Sequence, residues 1–405
     1  MRHAATAVLL VTSLVRAQVP VPPGDLAQVR HAFEPRPDED FISCDVTPIR
    51  PVIDFAFRFE AGYVFQVPQA QYAVPAQGWT VLTSITPEQG EPTYLMAHTA
   101  LAKAPLVRSN FQILGAYFLG VGRYSMEATL RDDRDGVCRQ QWKVVVTPSH
   151  ADRLVPLTLP PHQVRELLHI VVPDIYHPDN IPPLRLAVLL NVASRSAGRT
   201  EIGDHDRERL SNVLTALLER LPTTSVRVVA FSLEQQKEIF RADSFRPSDV
   251  TRTAAAIAAT PQTTVDINLL KNPHEHVDFL AGLIRRELDA PDPADTVIFV
   301  GPTSRYFDRL PADALPPAGQ RHARVFYVRW EAFLRPGLDQ PPILITGASR
   351  SSGEVLKAGP GGSSDSSRGQ PDIISKAVAQ LNGKTFLIHL PFELAAAIRK
   401  IESAR

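Results

Sequence analysis

The chain has 405 residues, of which 44% are hydrophobic and 21% charged, so it has enough apolar material for two or three ordinary domains. Lysine plus arginine equals aspartate plus glutamate, at 43 each, and this balance gives no sign of the basic surface of a nucleic-acid-binding protein. Proline is abundant, with 36 residues, which favours loop-rich β structure over long helices.

The first 17 residues have the pattern of a secretory signal peptide. Arg2 supplies positive charge, residues 4–15 form an apolar run, and residues 15–17 offer a cleavage site before Gln18. The run is shorter than the roughly 20 residues of a membrane-spanning helix, and no other stretch is long and apolar enough. We therefore expect a secreted, periplasmic or cell-envelope protein without a transmembrane helix in the mature chain. An uncleaved membrane anchor is the alternative.

The next part of the chain has the features of an all-β domain. Residues 18–40 are rich in proline and charge and predict a disordered lead-in. From residue 41 to residue 148 the pattern becomes strand-like, beginning with Ile53–Phe59, where apolar residues occupy the odd positions. The same alternation recurs, with turn-forming residues in between, at 79–86, 94–98, 124–130 and 142–146. Short strands separated by turns predict an immunoglobulin-like antiparallel sandwich.

Cys44 and Cys138 are the only cysteines, and they stand at the two ends of the predicted sandwich. An even number of cysteines in an exported protein indicates a disulfide bond. Two buried free thiols are the alternative.

The second half of the chain alternates strands and helices. After a proline-rich connector at residues 149–183, an apolar strand begins at Leu184, and a helix with one buried face follows at about 204–220. The strand at 226–232 is followed by a predicted antiparallel partner at 237–241. Alternation up to residue 402 predicts a doubly wound, mainly parallel α/β sheet, interrupted by a flexible glycine- and serine-rich insertion at 347–370.

The order of elements over residues 184–402 resembles the von Willebrand factor A domain family. Four segments carry the resemblance: Leu186–Asn191, Val226–Ser232, Thr296–Val300 and Leu381–Phe386. That family holds Mg²⁺ in an adhesion site built from Asp-x-Ser-x-Ser after the first strand, a threonine, and an aspartate at the end of the fourth strand. Here Asn191 stands in the place of the first aspartate, Arg195 in the place of the second serine, and the fourth strand ends without an aspartate. The resemblance implies a degenerate site with no metal and no cofactor.

These comparisons define a candidate binding face and a candidate function. The face would consist of the residues at the degenerate adhesion-site positions, namely Asn191, Ser194, Arg195, Thr264 and Thr303. Ordinary loop residues are the alternative interpretation. We expect a non-catalytic protein that binds protein partners, as adhesion-type proteins do. The alternative function is an exported hydrolase whose active site the sequence does not reveal.

His274 and His276 lie two apart, which places them on different faces of a helix, so a helix start is favoured over a metal site.

Overall fold

The computed structural model describes residues 18–37, 39–68, 78–100, 110–134, 136–167, 183–193, 202–246, 248–260, 275–311, 313–315, 323–330 and 370–404. These residues form three β-sheets and six helices. Two sheets belong to residues 18–166, which we name the sandwich half. The third belongs to residues 184–404, which we name the mixed-sheet half. Among the described helices, none combines the length and the apolar composition that crossing a bilayer requires.

The sandwich half consists of ten strands and one α-helix. In chain order these are β1 (Val19–Pro20), α1 (Leu26–Ala32), β2 (Asp40–Phe41), β3 (Asp45–Ile53), β4 (Phe59–Pro68), β5 (Gly78–Pro87), β6 (Thr93–Ala100), β7 (Asn110–Leu119), β8 (Gly122–Asp132), β9 (Gly136–Val146) and β10 (Val164–Glu166). One sheet has the order β1-β6-β5-β8-β9-β2 and the other the order β10-β7-β4-β3. All pairs are antiparallel except β2 with β9.

The inward-facing side chains of the two sheets form one apolar core. Tyr63 of β4 and Trp79 of β5 are fully buried in it. Most of the other core residues lie at alternate positions along the long strands, because successive side chains of a strand point to opposite faces of the sheet. Tyr63 lies across from Gly115 of β7, and a Cβ atom at Gly115 would overlap the tyrosine ring. Glycine at this position therefore makes room for the largest side chain of β4. The outer edge strand β3 carries Pro48 and Pro51, which are tolerated at a sheet edge.

The segment predicted to be a disordered lead-in is ordered in the structure. Residues 18–41 cross the outer face of the larger sheet, pairing through β1 with β6 and through β2 with β9, while α1 packs on Leu82 between them. Gln18 is buried, and its Nε2 donates to the Tyr63 hydroxyl at 2.8 Å and to Thr83 Oγ1 at 2.7 Å. Glu39 is paired with Arg139, whose hydrogen bond lowers the pKa of the Glu39 carboxyl to about 2. Buried partners hold this segment despite its polar composition.

The predicted disulfide bond is present. Cys44 precedes β3 and Cys138 lies in β9, with their Cα atoms 6.2 Å apart, so the bond joins the two sheets of the sandwich. It spans a sequence separation of 94 residues. A link of that span removes much of the conformational freedom of the unfolded chain.

The mixed-sheet half consists of six strands and five helices. These are β11 (Leu184–Asn191), α2 (Asp204–Arg220), β12 (Thr223–Ser232), β13 (Lys237–Ala242), α3 (Asp249–Ala258), α4 (Glu275–Leu288), β14 (Thr296–Pro302), β15 (Arg324–Trp330), α5 (Ile373–Gln380), β16 (Lys384–Leu387) and α6 (Pro391–Ser403). The strand order is β13-β12-β11-β14-β15-β16. The pairing of β12 with β13 is antiparallel, as the sequence predicted, and the other pairs are parallel.

Both faces of the central strand β11 are buried. Leu186, Val188 and Leu190 belong to one apolar cluster, whereas Ala187 and Leu189 belong to a second cluster on the opposite face. A strand that is covered on both sides needs an uninterrupted apolar run, which is why β11 has the most apolar sequence in this half.

This architecture corrects the predicted fold class. The sequence predicted a doubly wound, mainly parallel α/β sheet of the von Willebrand A type, but the described chain is mostly β with six short helices. Two of its sheets are mostly antiparallel and the third is mixed. The mixed character arises at the four-residue connection 233–236, where Gln236 adopts a φ of 51°. That connection is too short for a crossover helix, so the chain reverses direction and pairs antiparallel.

A turn joins the two halves. The sequence predicted a strand at Ile53–Phe59, but β3 ends at Ile53, β4 begins at Phe59, and residues 54–58 form the reversal between them. Phe55 and Phe57 are buried in the apolar core of the mixed-sheet half and not in that of the sandwich. Phe57 adopts a φ of 62°, and its carbonyl accepts a hydrogen bond from the Thr158 backbone at 3.1 Å. The apolar residues alternate here because Phe55 and Phe57 insert into the mixed-sheet half.

The disulfide bond is expected to stabilise the folded protein, and this can be tested by removing it. The double variant Cys44→Ala/Cys138→Ala should lose about 4–5 kcal/mol of unfolding free energy, because the unfolded chain regains the freedom that the closed loop removed. Denaturant titration of the oxidised proteins measures the difference, and the reduced wild type should match the variant. A loss below about 1 kcal/mol would contradict this account of the stabilisation.

Candidate functional site

The parallel strands of the mixed sheet end along one edge, where α/β proteins commonly place ligands. At this edge β11 ends at Asn191, β14 at Pro302 and β15 at Trp330. The segment after β14, the start of α4 and the start of α5 meet above these ends. We describe this edge as the candidate site and name it the carboxyl edge.

Asn191 is the central polar residue of the carboxyl edge. It is fully buried, and its Nδ2 donates to the carbonyl oxygen of Pro302 at 3.3 Å. Its Oδ1 is shielded from water and has no hydrogen-bond partner among the residues that the structure describes. Gly301 packs against Asn191 so closely that an added Cβ atom would lie 2.7 Å from the Asn191 Cβ. The site therefore holds a buried acceptor whose hydrogen-bonding capacity is unused, which is costly unless a donor reaches it.

Asp372 fixes α5 to the strand ends. Its Oδ1 accepts from the Ser375 backbone at 2.8 Å, as an N-cap does, and its Oδ2 accepts from the Ser304 backbone at 2.7 Å. The Tyr327 hydroxyl lies 3.3 Å from the same Oδ2 and 2.9 Å from the Pro302 carbonyl. Burial, and then the nearby Asp372 charge, hold the pKa of the Tyr327 hydroxyl well above its usual value. These groups act as a structural lock, because each of them forms its hydrogen bonds with another part of the fold.

A histidine–carboxylate pair lies at the same edge. His276, in the first turn of α4, is buried, and its Nε2 lies 2.8 Å from Asp308 Oδ2. The His276 ring stacks on Tyr306, with the ring centroids 4.1 Å apart. Burial, followed by the charge of Glu234, raises the pKa of the Tyr306 hydroxyl, and burial raises the pKa of Glu234 itself. This group could transfer protons, because an imidazole oriented by a carboxylate is a general acid–base arrangement.

The structure places two of the five predicted binding residues. Asn191 and Thr303 lie at the carboxyl ends of adjacent strands, as predicted. The Thr303 backbone donates to the Trp330 carbonyl at 2.9 Å, and its Oγ1 lies 3.3 Å from the same oxygen. Ser194, Arg195 and Thr264 fall outside the described residues, as do the predicted signal segment and most of the predicted insertion. The binding role of all five residues stays a prediction.

The sequence analysis missed the two polar groups that the fold assembles at this edge. The sequence analysis did not single out Asp372, whose contact with Ser304 spans 68 positions. Asp308 lies 32 positions from His276, so no local motif joins them. Within the described part of the chain, no group of three or more His, Cys, Asp or Glu side chains has the arrangement of a metal site.

Comparisons with known proteins do not assign the chain to a family. No family model matches it, and no curated protein matches it. Among solved structures, it is similar to the structural-genomics target SoR45, with 12% identity over 31% of this chain and 98% of that one and a TM-score of 0.20. It is also similar to a protein described as ApaA from Bordetella pertussis, with 12% identity, coverage of 28% and 100%, and a TM-score of 0.19.

A third similar structure is the β-glucuronidase of Bacteroides uniformis. Identity is 8%, over 72% of this chain and 36% of that one, with a TM-score of 0.19. Scores this low support no argument about fold or function, and none of these structures indicates a von Willebrand factor A domain.

The role of Asp372 as a structural lock can be tested by substitution. Asp372→Asn should reduce the unfolding free energy by about 1.5–3 kcal/mol, because the new amide nitrogen cannot accept the hydrogen bond that one carboxylate oxygen accepts now. Urea titration measures the loss. Asp278→Asn on the exposed face of α4 is the control and should change stability by less than about 0.5 kcal/mol. Equal effects of the two substitutions would contradict the lock.

Proposed function

We propose that this protein is a non-catalytic binding protein that recognises a protein partner at the carboxyl edge of its mixed sheet. The observation that carries the proposal is the buried Asn191 Oδ1, which has no donor within the described part of the chain and lies at the point where three strand ends meet. Peptide N–H groups and amide or basic side chains are donors that protein partners supply in abundance. The Asp372 lock supports the same role, because it holds the strand ends and α5 in fixed positions beneath the loops.

Export of the protein is part of the proposal. The apolar N-terminal run of residues 4–15 has the composition of a secretory signal. The Cys44–Cys138 disulfide adds support, because such bonds persist in oxidising compartments outside the cytosol. We therefore place the mature chain in the cell envelope or outside the cell.

The alternative function is an exported hydrolase, and one observation favours it. The His276–Asp308 pair could supply a general base at the carboxyl edge, next to Tyr306 and Glu234. The pair would need an accessible substrate position, and His276 itself is buried.

The binding proposal predicts which surface substitution abolishes recognition. Immobilised mature protein is cross-linked to envelope extract, and capture by Arg195→Glu is compared with capture by Arg153→Glu, a matched charge reversal on the exposed connector. We expect Arg195→Glu to weaken capture of a specific protein at least about tenfold, since each 1.4 kcal/mol of lost contact is tenfold in affinity. Arg153→Glu should capture like the wild type. Equal capture by all three proteins would contradict binding at this edge. Hydrolysis that His276→Asn abolishes would favour the alternative.

The proposal also predicts that recognition needs no divalent metal. Thermal unfolding of the mature protein is measured after EDTA treatment and then in millimolar Mg²⁺, Mn²⁺ or Ca²⁺. The midpoint should not change, whereas an ion that binds only the folded protein would raise it. A clear rise would show that the edge holds a metal and would contradict the metal-free mode of binding.

A further inference from the structure

The outer face of the larger sheet of the sandwich contains a groove. Its cavity of about 340 Å³ lies over β5, β8 and β9, and it is lined by the polar side chains of Ser84, Thr86, Ser125, Glu127, Gln141 and Lys143. Met126 and Trp142 also line it, and the Trp142 ring packs edge-on against the buried Tyr63 ring, with the centroids 5.3 Å apart. The volume lies at the lower end of the range of roughly 300–1,000 Å³ that small-molecule sites have.

Strand register arranges the six polar side chains in two rows. Residues that are directly opposite one another on the three strands form each row: the first consists of Ser84, Glu127 and Gln141, and the second of Thr86, Ser125 and Lys143. Neighbouring strands are about 4.8 Å apart, and alternate residues of one strand are about 7 Å apart. The six groups therefore form a grid of about 10 by 7 Å.

The hydrogen-bonding capacity of this grid is not used by the fold. Within the described part of the chain, none of the six side chains forms a hydrogen bond or an ion pair, and Glu127 interacts electrostatically with Arg139. Three hydroxyls, one amide, one carboxylate and one ammonium group supply both donors and acceptors. The charges of Glu127 and Lys143 are opposite, so the groove has no net formal charge.

The N-terminal segment covers a different part of the same face. There α1 packs on Leu82 of β5 and on the partly buried Tyr94 and Met96 of β6, and Glu39 is bonded to Arg139 of β9. The protein thus covers the apolar positions with its own chain, whereas Ser125, Gln141 and Lys143 stay exposed. A solvated sheet face would be polar as well, and the concave volume is what indicates a ligand.

The chemistry of the groove indicates a class of ligand. A phosphate or a nucleic acid would require an excess of positive charge, and an acyl chain would require an apolar lining. A sugar ring carries adjacent hydroxyls, and each of these can both donate and accept. Such a ring matches a closely spaced grid of hydroxyl, amide and carboxylate groups that has no net charge.

We propose that this groove binds a short, uncharged saccharide. Adjacent hydroxyls of the sugar would pair with Glu127 and Gln141 in one row and with Ser125 in the other. The site goes beyond the proposed function and does not depend on it, because the groove lies in the sandwich half and the carboxyl edge lies in the mixed-sheet half.

A glycan array probed with the full mature chain tests the proposal, followed by titration calorimetry with the uncharged oligosaccharide that gives the strongest signal. We expect a dissociation constant below about 1 mM. Glu127→Ala/Gln141→Ala removes two adjacent groups of one row and should weaken binding at least about tenfold. Ser125→Tyr fills the groove from an exposed position with a residue that strands favour, and it should abolish measurable binding.

The matched control is Glu275→Ala/Gln370→Ala, which makes the same two substitutions at exposed positions of the mixed-sheet half. It should bind the saccharide like the wild type. Thermal unfolding shows which variants are folded, and either folded groove variant is enough for the test. Failure to bind any uncharged saccharide on the array below about 1 mM would overturn the proposal. So would a folded groove variant with the affinity of the wild type, or binding that is restricted to charged glycans.

Discussion

Phe55 and Phe57 leave the sandwich in which their chain neighbours lie and are buried in the core of the mixed-sheet half. Each burial contributes about 1.5–3 kcal/mol relative to an exposed side chain, and Arg58 and Thr158 add hydrogen bonds on either side of the turn. The rest of the architecture depends on this contact. Together with Ile53 and Leu157, which pack against the cores of both halves, it fixes the position of one half relative to the other.

The two halves use polar groups in different ways. In the sandwich, buried polar atoms such as Gln18, Tyr63 and Thr83 bond to one another and complete the core. At the carboxyl edge, Asp372 completes the fold, but one oxygen of Asn191 has no donor in the described ranges of the chain. Buried polar atoms without a partner among the described residues occur in both halves, including the Tyr117 hydroxyl of the sandwich and Glu219 Oε2 of α2. What distinguishes Asn191 is its place at the carboxyl ends of the parallel strands.

Local patterns predicted most of the elements and little of their arrangement. The continuous apolar run of β11, the alternation in β5 and β8, and the antiparallel strand β13 follow from side-chain periodicity and turn chemistry, which act over a few residues. The disulfide followed from cysteine count and compartment. The prediction of a strand at Ile53–Phe59 was wrong. Alternation indicates that apolar side chains are buried, but it does not show whether they are buried in the core of the sandwich half or in that of the mixed-sheet half.

Long-range contacts account for the remaining errors. The composition of residues 18–40 suggested disorder, but distant partners hold this segment in place, such as the partly buried Arg139, which is 100 positions from Glu39. The doubly wound fold class was wrong because the described chain is mostly β, with two mostly antiparallel sheets and one mixed sheet, and the pairing of distant strands is not recorded in a local apolar pattern. At the carboxyl edge, Asn191 was found because it follows a strand, whereas the His276–Asp308 pair has no local signal.

The segment 18–41 also determines the order in which the sandwich can be completed. It is the first part of the described chain to be synthesised, but β1 pairs with β6 and β2 pairs with β9, which are made much later. Gln18 finds its site only after β4 and β5 have come together. Contacts of such wide sequence separation form slowly. The outer face of the larger sheet therefore stays uncovered until the last long strand of the sandwich has emerged, and the segment that closes it is one that was made before that strand.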